Sequence, residues 1–324
     1  MKNFLAVSGK FSLFAAFVLA TCIHSFAQVG LRNAMDMDGD GKADYTIFRP
    51  SNNFWYILKS GGGIAQQPFG VANEDFIAPG DYDGDRKGDF AVWRDTTGLW
   101  YRINSASSTF TVHGWGQTGD EPVPRDYDGD GKTDMAVVRR TNGVMIWYIF
   151  RSSNNGIETR QWGVMTDYTA PGDYNGDGTY DIAVQRPGAT ADAPATFYVL
   201  NSGSGNIETI TWGLSNDLVV PGDYDKDGKT DIAVVREGTT PTSDLTWIVR
   251  RSSNPTGPPL QRTWGVTGTD LTVQNDYDGD GQTEFAVWRN SDGRFYIFNN
   301  VTNGISVIQW GVANDFPVAS HDTH

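Results

Sequence analysis

Three observations in this sequence predict an all-β fold assembled from repeated four-stranded units. An acidic nine-residue segment, DYDGDGKTD at 126–134, recurs with variations six times at spacings of 45 to 53 residues. Two short runs follow each copy, both alternating in hydropathy and rich in aromatic and β-branched side chains, which is the signature of strands. Turn-forming residues, 38 Gly and 14 Pro, punctuate the chain, and no stretch beyond residue 28 sustains a helical period. With 11 Trp, 13 Tyr and 17 Phe among 324 residues there is ample material for a packed core, so disorder is excluded. A formal charge of −14 argues against nucleic acid and anionic membrane as partners.

The elements follow in chain order. Lys2 and Lys10 precede an apolar run from Phe11 to Ala20, and Ser25-Phe26-Ala27 places small residues around a cleavage position. The run is too short to cross a bilayer, so residues 1–27 are expected to be a secretory signal peptide cleaved after Ala27. A retained anchor, or lipidation at Cys22, are the alternatives. Cleavage removes two lysines, taking the formal charge from −14 to −16, and removes the one cysteine. A disulfide framework and a thiolate zinc site are thereby excluded. The mature chain, 28–324, is expected to be a single domain, secreted or held at the cell surface without inserting into the membrane.

Each unit then begins with its acidic loop, at Asp36, Asp81, Asp126, Asp173, Asp223 and Asp276. A first strand ends in an arginine thirteen residues after each start: Arg49, Arg94, Arg139, Arg186, Arg236 and Arg289. A turn leads to a second aromatic strand, such as Phe54-Trp55-Tyr56-Ile57 or Ile146-Trp147-Tyr148-Ile149. An aromatic-Gly pair closes a third strand: Phe69-Gly70, Trp115-Gly116, Trp162-Gly163, Trp212-Gly213, Trp264-Gly265 and Trp310-Gly311. A short apolar stretch, such as Leu218-Val219-Val220, leads into the next loop. Four strands in about 45–50 residues is the dimension of a propeller blade. A sandwich needs no such register, and a β-helix coil is much shorter, so the expected architecture is a β-propeller.

The termini count the blades. After Trp310, Asp315-Phe316-Pro317-Val318 reproduces the strand that leads into a loop, but no seventh loop follows. The economical reading is six blades, with the C-terminal strand completing the blade that the N-terminal segment begins. An irregular seventh blade, using Leu31 to Met35, is the alternative.

Loop positions 1, 3, 5 and 9 carry Asp36/Asp38/Asp40/Asp44, Asp81/Asp83/Asp85/Asp89 and Asp126/Asp128/Asp130/Asp134. The other three carry Asp173/Asn175/Asp177/Asp181, Asp223/Asp225/Asp227/Asp231 and Asp276/Asp278/Asp280/Glu284. Carboxylates this crowded repel one another unless a cation lies among them. Hard oxygen donors on a flexible loop suit Ca²⁺, with the position-7 carbonyl of Lys42, Lys87, Lys132, Thr179, Lys229 or Gln282 as a further ligand. About six calcium ions are expected. Position 6 is Gly in five loops and Arg86 in the second, where Gly88 is expected to supply the turn. No EF-hand is implied, because position 12 lacks its Glu and a strand follows each loop.

This organisation resembles the FG-GAP/VCBS family, integrin-α-like β-propellers whose blades carry a calcium loop between neighbouring strands. The resemblance spans about residues 30 to 320. It implies that the Asp, Asn and Glu positions above are calcium ligands, although the family more often shows seven blades. It also implies an extracellular role in adhesion or in binding protein or carbohydrate, or as an accessory module of secreted enzymes.

Other features have plainer readings. The six arginines are expected to make a repeated structural pairing, with a nearby Asp or with backbone carbonyls, rather than to grip an anionic ligand. Tryptophans at repeat-equivalent positions are expected to fill the core rather than to stack on sugars. The insertions 188–196, 238–244 and 252–259 are the irregular segments most open to ligand contact. No nucleophile, zinc or phosphate motif is present, and the clustered carboxylates are accounted for by the loops. The expectation is a non-catalytic binding or adhesion module for an extracellular protein or matrix ligand. A lectin-like propeller, and a polysaccharide-active enzyme or its accessory module, are the alternatives.

Overall fold

A computed structural model describes residues 34–319. The expected leader, with Ala27 and Cys22, and the residues after Ala319 lie outside the described residues. The described residues form 24 strands in six antiparallel four-stranded sheets, which are the blades of a propeller. Blade 2 shows the pattern. Its short inner strand Asp75–Ile77 is followed by Phe90–Arg94, Leu99–Ile103 and the outer strand Phe110–Gly114, in that spatial order. Blades 3 to 6 repeat it from the inner strands Asp120–Pro122, Tyr168–Thr169, Leu218–Val219 and Asp270–Thr272.

Blade 1 is closed by the other end of the chain. Its inner strand is Phe316–Pro317, paired with Tyr45–Arg49 through Phe48↔Phe316 and Ile47↔Pro317. The Val318 N–H extends this ladder to the Thr46 carbonyl at 2.9 Å. The ring is therefore six blades closed by the C-terminal strand, as the terminal repeat fragments predict.

Burial follows position in the blade. The second strand is covered on both faces by neighbouring blades, so Ile182–Arg186 is buried at four consecutive residues rather than at alternate ones. The third strand alternates, as in Val144–Phe150, and the outer strand is mostly exposed. Trp55, Trp93, Trp100, Trp147, Trp247 and Trp288 are fully buried. The other five tryptophans stitch blades together. Nε1 of Trp115, Trp162, Trp212, Trp264 and Trp310 donates to the carbonyls of Tyr148, Tyr198, Ile248, Tyr296 and Tyr56 in the adjacent blade, at 3.0–3.2 Å. Phe69 holds this place between blades 1 and 2, and its side chain has no N–H to give.

The arginines pair as expected. Arg49, Arg94, Arg139, Arg186, Arg236 and Arg289 each make bidentate bonds to Asp315, Asp75, Asp120, Asp167, Asp217 and Asp270 at 2.6–2.9 Å. Those aspartate side chains are 0–2% exposed. Each aspartate also accepts an N–H from the turn after the aromatic-Gly pair, such as Val312 to Asp315 at 2.8 Å. Hydrogen bonding to the carboxylate holds the Arg49, Arg139, Arg186 and Arg236 guanidinium groups above their ordinary pKa.

Candidate metal centres in a ring of acidic loops

In blades 2 to 6 the acidic loop joins the inner strand to the second strand, and in blade 1 it leads directly into the second strand, so all six lie at one end of the propeller. The position-1 aspartate organises the loop. Asp36 accepts the N–H of Gly39 at 2.6 Å on Oδ1 and of Gly41 at 2.8 Å on Oδ2. Asp81, Asp126, Asp173, Asp223 and Asp276 do the same at positions 4 and 6. Reaching both N–H groups requires left-handed backbone at those positions, which is why most are glycine. The second loop corrects the sequence reading: Arg86 itself takes the turn, with φ 70°, and Gly88 does not replace it. Lys226 in the fifth loop likewise adopts φ 62°.

Position 9 ties the loop to the rest of the blade. One oxygen of Asp44, Asp89, Asp134, Asp181, Asp231 or Glu284 accepts the position-2 N–H at 2.7–2.9 Å. In five blades the other oxygen accepts the N–H of a serine in the hairpin between third and outer strands: Ser60, Ser105, Ser152, Ser202 or Ser252, at 2.6–2.7 Å. The Ser60, Ser105, Ser152 and Ser202 hydroxyls also donate to position 5, on Asp40, Asp85, Asp130 and Asp177. Sequence reasoning missed these serines. Their signal was present, as a serine two residues past the second aromatic strand in five of six repeats.

At position 7 the N–H of Lys42, Lys87, Lys132, Thr179, Lys229 and Gln282 donates to the position-5 aspartate, Asp40, Asp85, Asp130, Asp177, Asp227 and Asp280, at 2.7–3.0 Å. The side chains of five of them lean onto the neighbouring loop. The Lys87 stem lies so close over Gly39 that a Cβ there would be 2.9 Å from Lys87 Cε, and Lys132 covers Gly84, Thr179 Gly129, Lys229 Gly176 and Lys42 Gly279 in the same way. Backbone bonds make this neighbour contact a closed ring. The carbonyls of Asp36, Asp81, Asp126, Asp173, Asp223 and Asp276 accept the N–H of Gly88, Thr133, Tyr180, Thr230, Thr283 and Ala43, each from the next loop, at 2.7–2.8 Å.

The carboxylates converge in five of the six loops. Oxygens of Asp36/Asp38/Asp40, Asp81/Asp83/Asp85, Asp126/Asp128/Asp134, Asp223/Asp225/Asp231 and Asp276/Asp278/Asp280/Glu284 come within 4.8 Å of one another. The fourth loop is not among these groups: Asn175 Nδ2 donates to Asp177 Oδ2 at 3.0 Å and to Asp181 Oδ1 at 3.3 Å, using the carboxylates internally. Burial pushes the carboxyls of Asp44, Asp81, Asp89, Asp126, Asp181 and Asp223 up to about 6. It raises Asp134, Asp173 and Asp231 to about 7 and Glu284 to about 9. At position 3, Asp38 Oδ1, Asp128 Oδ1 and Asp225 Oδ1 are buried without a hydrogen-bond partner. A buried unpaired carboxylate oxygen is costly in a protein interior and fits a hard cation as its missing partner.

The three insertions do not share a surface. Residues 188–193 and 238–243 connect second to third strands at the end away from the acidic loops, and 252–259 is a hairpin at the loop end.

Residues 126–184, from the third acidic loop into the fourth blade, match the family model described as FG-GAP-like repeat. No curated protein matches the chain. Among solved structures, TolB from Acinetobacter baumannii aligns with 84% of this chain at a TM-score of 0.56 and 17% identity. This chain spans 65% of that TolB chain, and at this identity the likeness concerns the propeller fold alone. Residues 126–184 thus match an FG-GAP-like repeat, and five further acidic loops stand in the same register around a β-propeller of six four-stranded blades.

Proposed function

We propose that the chain is a calcium-stabilised propeller that acts outside the cytoplasm as a non-catalytic binding module for a protein or matrix ligand. The observation that carries this reading is the ring of acidic loops, in three of which a buried position-3 oxygen, of Asp38, Asp128 or Asp225, has no hydrogen-bond partner in the protein. Hard, all-oxygen donor sets of this kind favour Ca²⁺ over transition metals, which select nitrogen and sulfur. The ion would be held by positions 1, 3, 5 and 9, with the position-7 carbonyl as a further donor. Its chemistry is charge neutralisation. Six ions would offset most of the negative charge and rigidify one end of every blade, holding a fixed surface for a partner. No helix among the described residues is long and apolar enough to cross a membrane, which accords with the secreted or surface-attached location inferred from the leader.

A binding role is supported by how the chain spends its reactive groups. The tryptophans fill cores and inter-blade junctions, so they offer no row of free faces for stacking on sugars. His113, the one histidine among the described residues, packs on Phe150 at 4.5 Å between ring centroids. Equilibrium dialysis of metal-stripped protein, with calcium measured by mass spectrometry, tests the metal claim. The expected result is five to six Ca²⁺ per chain at 1 mM free ion, undiminished by equimolar Mg²⁺. Fewer than one ion per chain would overturn it.

A further inference from the structure

Neighbouring acidic loops are linked by peptide groups that belong to two sites at once. In each loop the position-8 residue gives its N–H to the position-1 carbonyl of the preceding loop: Ala43 to Asp276, Gly88 to Asp36, Thr133 to Asp81, Tyr180 to Asp126, Thr230 to Asp173 and Thr283 to Asp223, at 2.7–2.8 Å. That N–H shares a planar peptide unit with the carbonyl of position 7, the backbone oxygen available to an ion in its own loop. The acceptor at the other end is position 1, whose carboxylate is held by the N–H groups of positions 4 and 6, as in Asp36 with Gly39 and Gly41. One peptide group therefore faces one site with its oxygen and anchors a ligand residue of the next with its hydrogen.

Side chains close the same junctions. Those of Thr133, Thr230 and Thr283, at position 8, lie so near Gly80, Gly172 and Gly222 of the preceding loops that a Cβ on these glycines would stand 2.5–2.9 Å away. Contacts this tight mean that positions 7 and 8 of one loop cannot shift without moving the loop before. Numbered by blade, the five loops whose carboxylates converge are consecutive around the ring. In the order 5, 6, 1, 2, 3 they are joined by the bonds from Thr283, Ala43, Gly88 and Thr133. The fourth loop, where Asn175 occupies Asp177 and Asp181, interrupts the circle.

We propose, building on calcium at these loops, that the shared peptide groups couple the sites, so that loops 5, 6, 1, 2 and 3 load cooperatively. Drawing electron density out of a position-7 carbonyl makes the N–H of the same peptide a stronger donor. The position-1 residue of the preceding loop is then held more firmly in its ligating place. Repulsion between ions in different loops acts the other way, but at 0.15 M salt it is screened over about 8 Å. The hydrogen-bonded link is not screened.

The test is calcium binding to the metal-stripped full chain in 0.15 M salt, read by titration and by native mass spectrometry of partly loaded protein. A coupling of about fivefold per junction gives a Hill coefficient of about 1.8 for five loops in a row. Partly loaded samples should hold more empty and fully loaded chains, and fewer intermediates, than a binomial distribution. Two variants that each remove one position-3 ligand separate coupling along the ring from a general loss of stability. Asp38→Ala disables loop 1 and leaves two separate pairs, so the coefficient should fall to about 1.4. Asp225→Ala disables loop 5, at the end of the run, leaves four loops in a row and should keep it at about 1.7. Equal urea midpoints without calcium show that the variants fold alike, and the species distribution of the unmodified chain decides the matter if they do not. Several ions bound with a coefficient of about 1 or below, or in a binomial distribution, would overturn the coupling and leave the calcium reading intact. So would equal coefficients in the two variants. Fewer than one ion per chain would overturn both.

Discussion

Replacing Arg49 by Met tests how the ring is closed. Arg49 bonds Asp315 at 2.8 Å through both Nε and the terminal nitrogen, and its guanidinium lies 4.4 Å from the centroid of the Tyr56 ring. The Asp315 side chain is 1% exposed whereas that of Arg49 is 26% exposed, so removing the cation strands a buried carboxylate whose other protein partner is the Val312 N–H. Breaking a fully buried pair costs about 3–5 kcal/mol, and the partial exposure of Arg49 places this one near the lower figure, about 3 kcal/mol. For a domain of this size, that corresponds to a fall in thermal midpoint of about 6–10 °C. Arg289→Met breaks the equivalent pair in blade 6, where the inner strand is covalently continuous with its loop. The two variants should lose similar global stability but differ locally. In Arg49→Met the two-residue strand Phe316–Pro317 should detach first, so the Val318 amide should exchange with solvent well before global unfolding. The equivalent Val273 amide should stay protected in Arg289→Met. Adding Asp315→Asn to Arg49→Met should recover part of the loss by removing the stranded charge. A midpoint change under 2 °C, or identical exchange at Val318 in both variants, would refute the closure argument.

Further outcomes follow from the same geometry. Trp162→Phe keeps the ring but removes the Nε1 bond to the Tyr198 carbonyl, and should cost about 1 kcal/mol by chemical denaturation. Asn175→Asp removes the amide that occupies Asp177 and Asp181, so calcium titration calorimetry should show one additional or tighter site, with lower stability of the metal-free chain. Gly84→Ala forces a Cβ into left-handed backbone, 2.8 Å from the Lys132 stem, and should destabilise the chain by about 1–2 kcal/mol, read as a lower urea midpoint. Metal-stripped protein should gain stability on acidification. Its loop carboxyls titrate at about 6–7 when folded and near 4 when unfolded, so the folded state holds more protons between those values and stability falls as pH rises through them. The midpoint at pH 5 should therefore exceed that at pH 8, and the order should reverse in 2 mM Ca²⁺, for which protons compete.

Much of the fold was legible because the repeat writes each element six times. That the six arginines pair structurally could be read from a fixed offset, and ring closure from the fragment Asp315-Phe316-Pro317 standing without a seventh loop; that their partners are aspartates came from the structure. What sequence could not show were contacts that cross repeats. The backbone ring linking each position-1 carbonyl to the next loop involves Gly88, Thr133, Tyr180, Thr230, Thr283 and Ala43, whose side chains range from none to a phenol because the bond to the carbonyl is made by the backbone N–H. Arg86 was misread for a related reason. Two N–H groups converging on Asp81 stabilise left-handed backbone strongly enough to hold a residue with a Cβ there, which outweighs local preference. The hairpin serines were visible as letters, but their role depends on a fold that brings Ser60 back onto Asp40 and Asp44.

The most direct test of the account is thermal unfolding of the chain in 2 mM Ca²⁺ and again in excess EGTA at pH 7.5. With a Kd near 10⁻⁴ M and free ion near 1 mM, linkage contributes about 1.4 kcal/mol per loop, or about 8 kcal/mol for six. The account predicts a fall in midpoint of at least ten degrees on chelation, restored by Ca²⁺ and not by Mg²⁺. An unchanged midpoint would contradict it, and the acidic ring would then be a set of hydrogen-bonded turns.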